Sequence, residues 1–159
     1  MQEGTLRKEI QQNKPFASLG QEALLSLFRT TDLLKRQVSQ VVEPRGVTLQ
    51  QYNVLRILRG AGSGGLPTLA IGERMIEQTP GITRLLDRLE SKSLVRRQRS
   101  RQDRRQVFCY ITPRGLDLLS ELDQPILDID KDGLGMLERD DLRTLIRLLD
   151  RIRSQQPSS

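Results

Sequence analysis

Apolar residues return at three- and four-residue intervals over much of this chain, the period of helices that bury one face. From Leu19 onward, Leu24, Leu27, Phe28, Leu34, Val38, Val41 and Val42 form one long stripe, which Pro44 and Gly46 end. A second helix starts at Thr48, whose hydroxyl can cap it while Gln51 completes a capping box. Its buried face is Tyr52, Val54, Leu55 and Leu58. The glycines between Gly60 and Gly65 predict a flexible turn. A short helix follows from Pro67 to about Met75, with Leu69, Met75 and Ile76 apolar. Gly72 inside it costs about 1 kcal/mol relative to alanine, which suits a position crossed closely by a neighbouring helix. Thr79 as cap and Pro80 in the first turn predict the next helix, with Ile82, Leu85, Leu86 and Leu89 as its buried stripe. Thr83, Arg84, Asp87 and Arg88 lie off that stripe and face outward.

The period then changes. Leu94 to Arg99 and Gln106 to Thr112 read as two short strands, the second alternating Phe108 and Tyr110 with Val107, Cys109 and Ile111. Ser100 to Arg105 form a charged tip between them. Thr112 and Pro113 repeat the cap-and-proline helix start, leading into Leu116, Leu118, Leu119, Leu122, Ile126 and Leu127. A last helix from about Glu138 carries Leu142, Leu145, Ile146, Leu148, Leu149 and Ile152. A short helix, a tight turn, a helix with a polar outer face and a basic hairpin make a winged helix-turn-helix. The expected fold is mainly α with a small β-hairpin wing. It divides into an N-terminal arm (1–18), a dimerisation helix (19–45), the winged helix-turn-helix lobe (46–112), C-terminal dimerisation helices (113–153) and a tail (154–159). The terminal apolar stripes are long for one small lobe, so Leu24, Leu27, Leu142, Leu145, Leu149 and Ile152 are assigned to a homodimer interface.

Composition narrows the chemistry. At 159 residues one domain is the default, and a single cysteine rules out an internal disulfide framework. The absence of histidine removes the commonest zinc ligand and proton shuttle, and with it every nucleophile–His dyad. Gly60 to Gly65 lack the Lys-Ser/Thr of a phosphate-cradling P-loop. No enzyme, cofactor or metal is expected. No apolar run approaches the ~20 residues that span a bilayer, and the polar, mixed-charge first residues do not read as a signal peptide. A cytoplasmic protein is expected, with no membrane partner.

The net charge of +6 is concentrated in one place. Between residues 84 and 105 stand Arg84, Arg88, Lys92, Arg96, Arg97, Arg99, Arg101, Arg104 and Arg105, against only Asp87, Glu90 and Asp103. That surplus equals the charge of the whole chain, so everything outside the segment balances. Arginine predominates, and its planar fork suits phosphates and guanine edges. Double-stranded DNA is the expected partner. An aromatic content of 3% argues against a base-stacking RNA platform. A winged-helix module that binds protein or RNA remains the alternative.

At this point the residues resemble the MarR family of bacterial transcriptional regulators. VTLQQYNVLRIL is similar to that family's second helix, LPTLAIGERMIEQTPGITRLLDRLESKSLVRR to its helix-turn-helix and first wing strand, and RQDRRQVFCYITPRG to its wing and fifth-helix start. The most specific part is Asp103-Arg104-Arg105 at its spacing from Ile111-Thr112-Pro113-Arg114-Gly115. The resemblance implies a homodimer with intertwined terminal helices. Its recognition helices would enter successive major grooves of a palindrome-like operator about 34–36 Å apart, with the wings in flanking minor grooves. On that reading Thr79, Thr83 and Arg84 reach base edges or adjacent phosphates, and Arg88 a phosphate. Arg104 and Arg105 reach the minor groove or its backbone, and Arg101 belongs to the same DNA-facing tip. Asp103 pairs with Arg105 or caps the tip, fixing where the arginines point. A repressor is expected, relieved by a small-molecule effector bound between the dimer helices and a lobe.

The chain departs from the family where Ser93 replaces the usual glycine after the recognition helix, so a different helix end is expected there. Ile111 replaces the usual leucine. The reactive N-terminal cysteine of peroxide-sensing members is missing. Asp128, Asp130, Asp132 and Gly133 match the first half of a calcium loop. Gly135 and Arg139 stand where an aliphatic residue and the bidentate carboxylate belong, so a solvated acidic helix end is expected instead. Cys109 alternates inward with Val107 and Ile111 and reads as a core thiol rather than a redox switch.

Overall fold

A computed structural model describes residues 5–78, 80–100, 103 and 105–155. A short helix α1 (Leu6–Glu9) precedes α2 (Leu19–Val42), which opens at extended Ser18, whose Oγ accepts from the Gln21 amide at 3.1 Å. Pro44 ends α2 in a 3-10 turn, Glu43–Arg45. α3 (Leu49–Ala61) carries the capping box: the Thr48 hydroxyl accepts from the Gln51 amide, and the Gln51 side chain accepts from the Thr48 amide. The glycine-rich stretch is more ordered than its composition predicts. Gly60 and Ala61 stay in α3, and a 3-10 turn, Gly62–Gly64, follows.

Leu66–Pro67 form β1, a strand that two residues without alternation do not announce, and it pairs antiparallel with Phe108 and Cys109. Pro67 therefore precedes α4 (Thr68–Arg74) instead of starting it. The close crossing expected at Gly72 is absent, since a Cβ there would meet nothing within 4 Å. α5 (Ile82–Ser91) begins later than predicted. Thr79 lies outside the described residues, and the cap position is Gly81, whose φ of 100° favours glycine.

Ser93 corrects the expected change of helix end: it adopts the left-handed φ of 60° itself, while its amide donates to the Glu90 carbonyl at 2.8 Å. The turn survives without glycine. β2 (Val95–Arg99) and β3 (Val107–Ile111) then form the antiparallel hairpin, and the sheet order is β1-β3-β2. Thr112 ties the hairpin to α6 (Pro113–Leu134), donating to the Ser93 carbonyl at 2.7 Å and accepting from the Gly115 amide at 3.1 Å. Gly115 permits this close packing, because a Cβ would fall 2.5 Å from the Leu94 carbonyl oxygen. α6 stays helical through Asp128, Asp130 and Asp132, where a calcium loop would have to leave the helix. α7 (Arg139–Ser154) is the last helix of the described residues.

One core gathers around α3. Val54, Leu55, Leu58, Ile71, Leu86, Leu89, Cys109 and Leu119 are completely buried in it, drawn from α3, α4, α5, the hairpin and α6. The winged helix-turn-helix architecture of the sequence reading is thus present, with one more strand than predicted. α7 is different: none of its residues is buried. Leu24, Phe28, Ile146 and Ile152 stand 49%, 63%, 57% and 52% exposed, so the first half of the α2 stripe and much of the α7 stripe are left open within a single chain, whereas Val38, Val41 and Val42 of α2 pack on the core. No helix among the described residues is long and apolar enough to cross a membrane.

Candidate nucleic-acid interface

α5 buries Leu85, Leu86 and Leu89, which turns Thr83, Arg84, Asp87 and Arg88 to solvent. Arg84 and Arg88 form no ion pair among the described residues and remain exposed. A guanidinium in that condition can give all five of its donors to phosphate oxygens or base edges.

The hairpin sorts its cations. β2 alternates, so Val95, Arg97 and Arg99 share one face, and Val95 is buried. Arg97 follows Val95 inward. Its Nε and Nη2 donate to Glu90 Oε2 at 2.9 and 2.6 Å, its amide to Glu90 Oε1 at 3.1 Å, and Nη2 also meets Asp87 Oδ1 at 2.7 Å. The hydrogen bonds from Arg97 hold the Glu90 carboxyl below its ordinary value, and Glu90 in turn raises Arg97. On the opposite face, the Arg96 guanidinium lies 4.0 Å from the centre of the Tyr110 ring. Lys92 is turned back, donating to the Gly46 carbonyl and to Gln51 Oε1. Six of the segment's cations are exposed and without an ion pair among the described residues; Lys92 and Arg96 are engaged by the contacts just given, which leaves Arg84, Arg88, Arg99 and Arg105.

At the tip, the Arg105 amide donates to Asp103 Oδ1 at 2.9 Å, and the Asp103 amide donates to Ser100 Oγ at 3.2 Å. Of the two roles left open for Asp103, the structure has it capping the tip through the backbone. Arg101 and Arg104, like Thr79, lie outside the described residues. The basic count therefore overstates what is available on this surface. The missed signal was strand alternation, which sends Arg97 inward with Val95.

A separate cavity of about 750 Å³ lies among α2, α3, α6 and the segment after α4, walled by Leu34, Val38, Tyr52, Met75, Ile126 and Leu127. No pattern along the chain announces it, because its lining comes from four distant segments. Burial raises the Tyr52 phenol. The cavity's polar wall holds two ion pairs, Lys35–Glu77 and a bidentate Arg59–Asp123 with both bonds at 2.9 Å. The hydrogen bond from Arg59 holds the Asp123 carboxyl below its ordinary value. Cys109 sits fully buried beside Thr68, and burial raises its thiol. That suits a core residue and leaves little thiolate.

Comparison with known proteins agrees with this geometry. Residues 47–107 match the MarR family model, a span that takes in the capping box of α3, the helix-turn-helix, β2 and the hairpin tip and stops at the first residue of β3. The crystal structure of a MarR transcription factor from Planctomyces limnophilus is 41% identical, with a TM-score of 0.67 over 86% of this chain and 98% of that one. The HTH-type transcriptional regulator TtmR of Methylorubrum extorquens is 29% identical over 87% of this chain and 69% of its own length. In fold alone, the chain is similar to Sco3205, a MarR family transcriptional regulator from Streptomyces coelicolor solved in complex with DNA. That match has a TM-score of 0.79 at 18% identity, over 92% of this chain and 94% of that one. With its winged lobe, its outward cations and these relatives, the chain belongs to the MarR family of DNA-binding transcriptional regulators.

Proposed function

We propose that this regulator works as a homodimer on a palindrome-like operator, acts as a repressor by occupying promoter DNA, and is released by a small-molecule effector. The observation that carries the reading is the unpaired, outward row of Thr83, Arg84 and Arg88 on α5 beside a hairpin that exposes Arg99 and Arg105. Thr79, Thr83 and Arg84 read base edges or adjacent phosphates and Arg88 a phosphate. Arg101, Arg104 and Arg105 address the minor groove or its backbone, from a tip fixed by Asp103. The dimer is supported by the exposed Leu24 and Phe28 of α2 and Ile146, Leu148 and Ile152 of α7, and its interface takes in the half-buried Leu27, Leu142, Leu145 and Leu149 beside them. A two-fold assembly presents two copies of α5, so the site it prefers has two-fold symmetry. The effector's seat is the cavity between α2, α3 and α6, where occupancy bears on the angle between the lobe and the long helices.

The deciding experiment is selection of random duplex DNA by the purified protein, followed by sequencing. An inverted repeat with half-sites about 10–10.5 base pairs apart, centre to centre, is expected. Binding should weaken with salt by roughly 0.9 log unit per log unit for each phosphate neutralised. Arg84→Ala should change base preference, whereas Arg105→Ala should weaken all duplexes alike. No enriched sequence, together with capture of RNA or of a protein, would overturn the operator reading in favour of an interaction module.

A further inference from the structure

We propose that Arg97 is a positioning residue: from the wing it fixes the rotation of the recognition helix and masks that helix's own carboxylate, without itself touching DNA. The proposal rests on the DNA-binding reading of α5 and the hairpin and adds an internal part to it.

Asp87 and Glu90 lie three positions apart on α5, so their carboxylates emerge about one turn apart on one side of the helix. One guanidinium spans both. Arg97 Nη2 lies 2.6 Å from Glu90 Oε2 and 2.7 Å from Asp87 Oδ1, and Nε makes a second bond to Glu90 at 2.9 Å. The main chain joins in, since the Arg97 amide donates to Glu90 Oε1 at 3.1 Å. Glu90 is thus held by three donors of one residue, and α5 cannot roll against β2 without breaking them. Of the three side chains Arg97 is the least exposed, at 26% against 54% for Asp87 and 39% for Glu90. A planar fork does this better than a lysine, whose ammonium is a point charge.

The arrangement has a second consequence. Asp87 stands between Arg84 and Arg88 in sequence, on the exposed side of α5. Left alone, its carboxylate would repel the phosphates those two arginines attract. With Arg97 2.7 Å away, the acid's charge is answered from behind. The same contact removes Arg97 from the cations available to DNA, so one residue of the basic run works from inside the lobe.

The test uses the full-length protein with Arg97→Met, Asp87→Asn and their combination. Binding to the selected operator and to a random duplex is measured over a series of salt concentrations, with thermal unfolding as the folding control. Folded Arg97→Met is expected to lose about tenfold in operator affinity, within the range for contacting, networked residues. The random duplex should lose much less, with its salt slope unchanged. Asp87→Asn should leave the parent nearly unaltered yet recover part of the loss in the Arg97→Met background, because only there is Asp87 unmasked. If Arg97→Met does not fold, Arg97→Lys replaces it in both arms and should give a smaller loss of the same kind. Equal loss on both duplexes with a slope lower by about 0.9 would make Arg97 a phosphate contact and overturn the proposal. Parental operator affinity in Arg97→Met, or equal gains from Asp87→Asn in both backgrounds, would overturn it as well. A parent that selects no duplex at all would instead sink the operator reading on which it rests.

Discussion

Ser93 shows how one residue can be misread from sequence and corrected by geometry. A serine after a helix suggests that the left-handed turn has been abandoned, because a side chain there costs about 1–2 kcal/mol. The chain keeps the turn anyway, with φ of 60°. Its surroundings over-determine it: the Ser93 amide donates to Glu90, its carbonyl accepts from Thr112, and Leu94 leads straight into the sheet. Ser93→Gly should therefore stabilise the protein by roughly 0.5–1 kcal/mol, read as a higher unfolding temperature at unchanged operator affinity. A lower melting temperature would mean that the serine side chain makes a contact outweighing its strain. Gly81 is the converse case. The sequence offers Thr79 and Pro80 as start signals, but the positive φ falls at Gly81, and only backbone conformation could place the cap there.

Among elements, legibility followed periodicity and failed where partners decide. α2, α3, α5, α6, α7 and the two hairpin strands were readable because each has a repeating apolar face or a cap in its own sequence. β1 was not, since two residues become a strand only when Leu66 and Pro67 meet Cys109 and Phe108 across the sheet. The same limit hid the Arg59–Asp123 pair, which joins α3 to α6 across 64 positions. That pair carries a pH signature. Asp123 is held below its ordinary value of 3.8 by the hydrogen bond from Arg59. A depressed carboxyl adds stability that is complete above its unfolded value and is lost as pH falls through the folded one. Parental stability should thus decline below about pH 4 more steeply than that of Asp123→Asn, measured by denaturant unfolding along a pH series. Identical slopes would show that the pair is too solvated to couple the two helices.

At the level of the whole molecule, the decisive feature is what one chain leaves uncovered. The winged lobe has a finished core, whereas α7 keeps Ile146 and Ile152 more than half exposed and buries nothing. Leu145→Asp or Ile152→Asp should convert the protein to a monomer in sedimentation measurements and remove operator binding, with the lobe still folded by circular dichroism. A dimer that survives either change would move the interface elsewhere.

A helix with no shelter inside its own chain makes order a matter of supply. On the proposed dimer, each molecule's C-terminal end settles when a neighbour arrives, so heat resistance should climb with protein concentration. In a cell, such a dimer would tie the regulator's grip on DNA to its abundance. Dilution at division would loosen it, and renewed synthesis would restore it.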